Sequence, residues 1–169
     1  MCSNPNTENA VHRVIPGKQM LNRIRSFFAA GESDRDDDEA ALHLAAAVLL
    51  VEVAKADHAF GDVELEHLMD VLRREWQLAD SDLVDLVDVA RDTADANASL
   101  HEQIALVNAS FSVTQKQRLM RGLWEVAYAD DELHHHEELL IRRLADLMYV
   151  SHSDFIREKH RVLAARQSH

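Results

Sequence analysis

Cysteine, glycine and proline are all scarce in this chain, and each scarcity excludes or disfavours a class of fold. Its 169 residues include one cysteine, Cys2, with four glycines and two prolines. A disulfide-stabilised scaffold is therefore excluded. An all-β fold is disfavoured because its tight turns need many glycine and proline residues. Hydrophobic residues make up 47% of the chain and charged residues 28%, which is ordinary for one globular domain.

Basic residues and long apolar runs are also few. The 18 lysines and arginines face 30 aspartates and glutamates, which gives a net charge of −12. Nucleic-acid-binding domains normally present a basic surface, so we expect neither a nucleic-acid partner nor direct binding to an anionic membrane. The run from Ala40 to Val51 is shorter than the roughly 20 apolar residues that span a bilayer, and Met1 to Thr7 do not resemble a signal peptide. We therefore expect a cytoplasmic protein without membrane insertion.

Apolar residues recur at helical spacing along most of the chain, and the signal for strands is negligible. We predict an all-α, single-domain bundle of about eight helices, with a flexible N-terminus at 1–17 and a helical domain at 18–169. The predicted helices cover Lys18–Ala30, Glu39–Ala56, Asp62–Trp76, a stretch from Ser81, a stretch from Ser99, Thr114–Ala129, His136–Met148 and a stretch from Ser151 or Ser153.

Local patterns refine this prediction. Ser99 with Glu102, and Thr114 with Gln117, match the capping box that begins a helix. The helix at 39–56 is apolar almost all round, which is typical of a central, buried helix. The larger aromatic residues follow core spacing and are predicted to pack inside; they are Trp76, Trp124 and Tyr149.

An internal repeat is the most informative feature of the sequence. Residues 52–57 read EVAKAD, and residues 125–130, which lie 73 positions later, read EVAYAD. In both copies a glutamate follows the aspartate by seven positions, at Glu64 and Glu137. The aspartate falls where one helix ends and the glutamate falls in the first turn of the next, so each copy is an αα-hairpin. Two such hairpins predict a pseudo-twofold bundle whose two repeat-bearing helices pack centrally.

Two interpretations of the repeated acids stay open. A negative charge near a helix C-terminus is disfavoured by a few tenths to about 1 kcal/mol, so the aspartates need a compensating interaction. The acids could fix the turns by accepting hydrogen bonds from free N–H groups. Alternatively they share a divalent cation, because Ca²⁺ and Mg²⁺ prefer carboxylate oxygens. The candidate ligands are Asp57, Glu64, Asp130 and Glu137, with Glu52 and Glu125 in support one turn inside their helices.

A histidine cluster beside the second hairpin adds a weaker metal candidate. His134, His135 and His136 follow Asp131 closely in the chain. Imidazole binds Zn²⁺, Ni²⁺ and Cu²⁺, so the cluster could bind a transition ion. The alternative is an exposed polar loop that binds metal only adventitiously.

Enzymatic patterns are incomplete. Glu64 and His67 form the E-x-x-H element that di-iron bundles use twice, but the second copy has Leu140 at the histidine position. EF-hand loops fail because Leu68 and Ile141 stand at the twelfth position. We therefore disfavour a dimetal-carboxylate enzyme. The last predicted helix carries a mild basic face, which is typical of a solvated helix pairing with acidic neighbours; its residues are Arg157, Lys159, His160, Arg161 and Arg166.

The repeat resembles the signature of the TerB-like family, which includes the tellurite resistance protein TerB. That signature is an apolar helix ending in A-D-G, then an acidic residue, then a helix with glutamate in its first turn. The resemblance covers about residues 41–164 and is closest to a stand-alone bacterial branch. The family's glycine is replaced by His58 in one copy and by Asp131 in the other. These residues must tolerate the same turn, if need be with φ above zero.

The resemblance implies an all-helical, non-enzymatic domain with an acidic face and a link to tellurite resistance and chemical stress. It implies that the hairpin acids bind a divalent cation (Ca²⁺, Mg²⁺ or Zn²⁺), a protein partner, or both. The partner would be membrane-associated, because family members often occur close to membrane components. The remaining alternative is a pure protein-interaction module in which the acids only fix the turns.

Overall fold

Seven α-helices make up the part of the chain that the computed structural model describes, which is residues 35–56, 60–96 and 100–168. They are α1 (Arg35–Ala54), α2 (Asp62–Trp76), α3 (Asp80–Asp95), α4 (Leu100–Ser110), α5 (Val113–Ala127), α6 (His135–Leu147) and α7 (His152–Gln167). No strand occurs within these ranges, and the prediction of an all-α bundle is confirmed. The predicted N-terminal segment and the predicted helix at Lys18–Ala30 lie outside the described residues.

Helix α1 lies at the centre of the bundle. Every residue from Leu44 to Val51 is at most 3% exposed, and the helix packs against α2, α3, α4, α5 and α6. Helix α5 is the second central element and packs against α1, α2, α6 and α7. Full burial of one leucine or valine side chain contributes about 1.5–3 kcal/mol, so this paired centre supplies much of the driving force for folding. The two repeat-bearing helices therefore pack centrally, as the repeat predicts.

Helices α2 and α5 approach each other closely at Gly122. A Cβ atom added there would lie 2.7 Å from Cγ1 of Val71 on α2 and 3.5 Å from Cδ2 of Leu50 on α1. A larger side chain would push the helices apart, because tightly packed interiors accept extra volume only by distortion. Gly122 thus sets the distance between the second helix of one hairpin and the first helix of the other.

The helix starts agree with the prediction in part. Helix α5 begins after Ser112, whose Oγ accepts a hydrogen bond from the Gln115 N–H at 3.2 Å. The Ser112 N–H donates to Gln115 Oε1 at 2.8 Å. The capping box predicted at Thr114 is therefore wrong by two residues, because Ser112 has the same spacing and the extended backbone of a cap. Helix α7 begins after Ser151, as one of the two alternatives predicted, while Ser99 lies outside the described residues.

The aromatic residues divide between core and surface. Trp124 is fully buried, but Tyr149 is 84% exposed, so its predicted core position is wrong. Tyr149 follows the end of α6 with φ of 57°, and this left-handed residue turns its side chain away from the helix face that its spacing implied. Among the described helices, none has both the length and the apolar character that crossing a membrane requires.

One titratable group lies within the apolar centre. His43 of α1 is buried, and its ring lies 4.6 Å from the ring of Trp76, centroid to centroid. Burial lowers the pKa of His43 from 6.5 to about 4, since a charged imidazole loses its hydration there. Glu39 Oε1 lies 3.7 Å from Nε2, but that carboxylate is exposed and water weakens its attraction. The folded state therefore favours the neutral ring.

We expect His43 to make folding stability depend on pH. Because its folded pKa lies below its unfolded pKa, its contribution is complete above pH 6.5 and is lost as the pH falls towards 4. Between pH 7 and pH 5 the wild type should lose about 2 kcal/mol more unfolding free energy than His43→Leu does. Urea denaturation at the two pH values measures this. His160→Leu, which changes an exposed histidine on α7, is the matched control, and equal losses in wild type and His43→Leu would contradict the prediction.

Candidate functional site

The second hairpin places Asp130 in the turn between α5 and α6. Asp130 Oδ1 accepts a hydrogen bond from the Glu132 N–H at 3.1 Å, which is the bond of an Asx turn. Its other oxygen, Oδ2, lies 3.5 Å from His134 Nε2. Asp130 therefore both shapes the turn and faces an imidazole. The matching residue of the first hairpin, Asp57, lies outside the described residues.

The repeated glutamates occupy equivalent positions in the two hairpins. Glu64 Oε2 accepts a hydrogen bond from the Gly61 N–H at 2.9 Å, and Glu137 Oε2 accepts one from the His134 N–H at 2.9 Å. Glu64 is 8% exposed and Glu137 is 3% exposed. Each bond satisfies a backbone donor at the start of a helix, where the helix dipole also favours a negative charge. The buried glutamates thus have a structural reason to be present in both copies.

Asp131 stands where the family signature has glycine, and its backbone is left-handed with φ of 71°. Aspartate tolerates this region better than most residues do, although glycine tolerates it best. The side chain is 87% exposed and forms an ion pair with Arg166 of α7. Asp131 therefore adopts a left-handed backbone that a glycine would tolerate, while its carboxylate faces α7.

The structure does not assemble the predicted acids and histidines into a metal centre within the described residues. No group of three or more His, Cys, Asp or Glu residues there has a geometry that could hold a metal ion. His135 and His136 are exposed, and their ring centroids are 6.1 Å apart. A cation site would therefore need Asp57, or a movement of side chains.

Glu52 and Glu125 share a repeat position but have different surroundings. Burial raises the pKa of Glu52, with Lys55 opposing the rise and Asp95 adding to it. Glu125 Oε2 instead accepts a hydrogen bond from Arg74 Nη2 at 2.9 Å. The expectation that both support the hairpin acids is untested for Glu52, while Glu125 faces a different feature of the surface.

That feature is a cleft between α2, α5 and α7, which we call the arginine cleft. It has a volume of about 900 Å³ and is lined by His67, Arg74, Arg121, Glu125, Asp131, Arg161, Val162, Ala165 and Arg166. The basic face of α7 is predicted from the sequence, but the contributions of Arg74 and Arg121 are not. Those two lie on other helices, and only packing brings them beside α7.

The comparison with known proteins identifies one family. The family model described as tellurite resistance protein TerB matches residues 43–160, which is more than half of the chain. The chain belongs to the TerB family. The matched range includes both hairpins of this TerB-family chain and all of the arginine cleft except four residues near the end of α7. No match was found among curated proteins or among solved structures.

Family membership assigns the chain to the tellurite-resistance-related helical domains. It agrees with the all-helical architecture and with the resemblance carried by the two A-D hairpins.

Proposed function

We propose that this TerB-family chain is a non-enzymatic binding module of a tellurite-related stress response, whose hairpin acids shape a surface for a protein partner. The observation that carries the proposal is the same 2.9 Å bond at the start of α2 and of α6, from Gly61 N–H to Glu64 and from His134 N–H to Glu137. A buried carboxylate that satisfies a helix N-terminus is explained by folding alone. The repeated glutamates would then build the turns that carry the binding surface, and would not take part in a reaction.

The surface beside the second hairpin indicates the chemistry of the partner. Asp130, Asp131 and Glu132 are consecutive and exposed, on a chain whose net charge is −12. Such a surface attracts a basic segment and speeds its encounter. Cytoplasmic loops of membrane proteins are rich in lysine and arginine, so a membrane-associated partner would carry suitable segments.

A dimetal-carboxylate enzyme has no support in the geometry. His67 Nδ1 lies 3.0 Å from the carbonyl oxygen of Val63, one turn earlier in its own helix. Its ring lines the arginine cleft, and no three-ligand group within the described residues includes it.

Substitutions at Glu137 test whether the repeated glutamates fix the turns. Glu137→Ala removes the acceptor for a partly buried N–H and should lower the unfolding free energy by about 1–3 kcal/mol. Glu137→Gln keeps an acceptor that capping boxes also use and should retain most of that stability. Urea denaturation of both variants, with Glu138→Ala on the same turn as control, measures the difference. A loss as large in Glu137→Gln as in Glu137→Ala would show that the hydrogen bond is not what the residue contributes.

A lysine- and arginine-rich peptide tests the proposed partner surface. At low salt it should bind near residues 130–132, and Asp130→Asn/Glu132→Gln should weaken binding about threefold, because exposed ion pairs contribute roughly 0.2–1 kcal/mol each. Asn retains the Oδ1 acceptor of the Asx turn. The control Asp88→Asn/Asp92→Asn changes two exposed acids of α3 and alters net charge equally. Equal weakening in both double variants would mean that net charge alone attracts the peptide.

A divalent cation is the second candidate ligand, and the approach of Asp130 Oδ2 to His134 Nε2 at 3.5 Å favours it. Both side chains are about one third exposed, at 37% and 35%, so an ion could reach them from solvent. The proposed ligands are Asp57, Glu64, Asp130 and Glu137, with Asp131, His134, His135 and His136 as weaker candidates. Carboxylates suit Ca²⁺ and Mg²⁺, while the histidines would favour Zn²⁺.

Calorimetric titration of chelator-treated protein with Ca²⁺, Mg²⁺, Mn²⁺ and Zn²⁺ tests the cation. This candidate predicts stoichiometric binding that Asp57→Asn/Asp130→Asn abolishes, since the amide lacks the charge that holds a hard cation. Asp146→Asn, at an exposed acid of α6, should bind as the wild type does. Folded wild-type protein that binds none of the four ions would leave the acids with their structural role.

A further inference from the structure

The arginine cleft gathers four guanidinium groups on an acidic protein. Four guanidinium groups line it, from Arg74, Arg121, Arg161 and Arg166, against two carboxylates, from Glu125 and Asp131. The chain as a whole carries a net charge of −12. Guanidinium groups gathered in one cleft of such a chain can bind an anion that the rest of the molecule repels.

A buried carboxylate organises part of this charge. Glu158 of α7 is 0% exposed. Its Oε2 accepts a hydrogen bond from Arg121 Nε at 2.9 Å, and its Oε1 accepts one from Arg161 Nη1 at 2.8 Å. Arg157 Nε lies 3.5 Å from Oε1. Arg157 also pairs with Asp154, so the role of Glu158 in the cleft is to hold Arg121 and Arg161 in position through its two hydrogen bonds.

The other two arginines of the cleft are held in the same way from opposite sides. Arg74 of α2 donates to Glu125 of α5 at 2.9 Å, and Arg166 of α7 pairs with Asp131 in the hairpin turn. Each ion pair restricts the rotamers of its arginine before a ligand arrives, so less side-chain entropy is lost when the ligand binds. Arg74 also pairs with Glu75. The carboxylates therefore preorganise the arginines, and what the cleft offers a ligand is the guanidinium N–H donors that these pairs leave unused.

Hydrogen-bond donors remain after this pairing. Arg121 and Arg161 each donate one hydrogen bond among the described residues, whereas a guanidinium group has five N–H donors. Their side chains are 34% and 52% exposed. Guanidinium groups bind phosphate oxygens in a bidentate manner, and Val162 and Ala165 provide an apolar part of the wall.

We propose that the arginine cleft binds a small molecule that carries a phosphate or diphosphate group. Its volume of about 900 Å³ exceeds what an inorganic ion needs and falls within the range of small-molecule sites, which is roughly 300–1,000 Å³. The phosphate groups would contact the arginines, and the body of the ligand would lie along Val162 and Ala165. This role is separate from the binding of a basic partner or a cation at the hairpin acids.

Titration with ADP and with inorganic pyrophosphate tests the proposal. Both are added to the full chain in the presence of EDTA, so that a cation at the hairpin acids cannot contribute, and binding is followed by calorimetry and by amide chemical shifts. Arg161→Gln and Arg166→Gln should each weaken binding about tenfold or more, as expected when a hydrogen bond between charged groups is lost. Arg118→Gln is the matched control, since Arg118 is exposed on α5 outside the cleft.

The two probes distinguish recognition of the phosphate groups alone from recognition that includes the rest of the ligand. Equal affinity for the two probes would support the proposal with recognition by the phosphates alone, and tighter binding of ADP would support it with a contribution from the apolar wall. Arg121→Gln removes a partner of buried Glu158 and is used only if its thermal unfolding matches the wild type. Absence of binding by either probe at millimolar concentration, or equal weakening by Arg118→Gln, would overturn the proposal.

Discussion

The burial of helix α1 on almost every side is the constraint on which the rest of the structure depends. A helix without a polar face must be surrounded, and five other helices surround this one. The hairpins are arranged by that requirement, because α1 and α5 carry the repeat and lie together at the centre. The close approach at Gly122 then determines how near α2 can lie to α5. The hairpin acids consequently lie at the ends of the helices.

At the ends of those helices, unsatisfied backbone N–H groups explain most of the acidic residues that the two copies of the repeat share. Each second helix of a hairpin begins with unsatisfied N–H groups, and Glu64 and Glu137 satisfy one of them in the same way. Asp130 adds an Asx turn, and Asp131 adopts the left-handed backbone that the family's glycine would adopt. In this chain Asp130 shapes the second turn although an aspartate stands at the family's glycine position. The exposed acids then remain for a partner or a cation to contact.

The charges of the outer faces are distributed unevenly. The second hairpin turn is acidic, whereas the cleft beside it is lined by four arginines from three helices. Asp131 belongs to both features, because it lies in the turn and pairs with Arg166. The two surfaces are therefore physically adjacent, and a ligand in the cleft would lie beside the residues that the proposed partner would contact. The net charge of the chain conceals this division, since a sum over residues carries no information about position.

The sequence by itself determined the helices, the two hairpins and the family. The spacing of apolar residues indicates the helices and their turns, because these depend on residues that are close together in the chain. The repeat predicted Glu64 and Glu137 in the first turns of the helices where they are found. The start of α5 was predicted two residues too late, since Ser112 and Thr114 offer the same capping pattern two residues apart. Only the tertiary structure decided which charged residues meet. Arg74 and Arg121 join Arg161 and Arg166 because packing around α1 brings three helices side by side, and no local pattern in the chain records that distance.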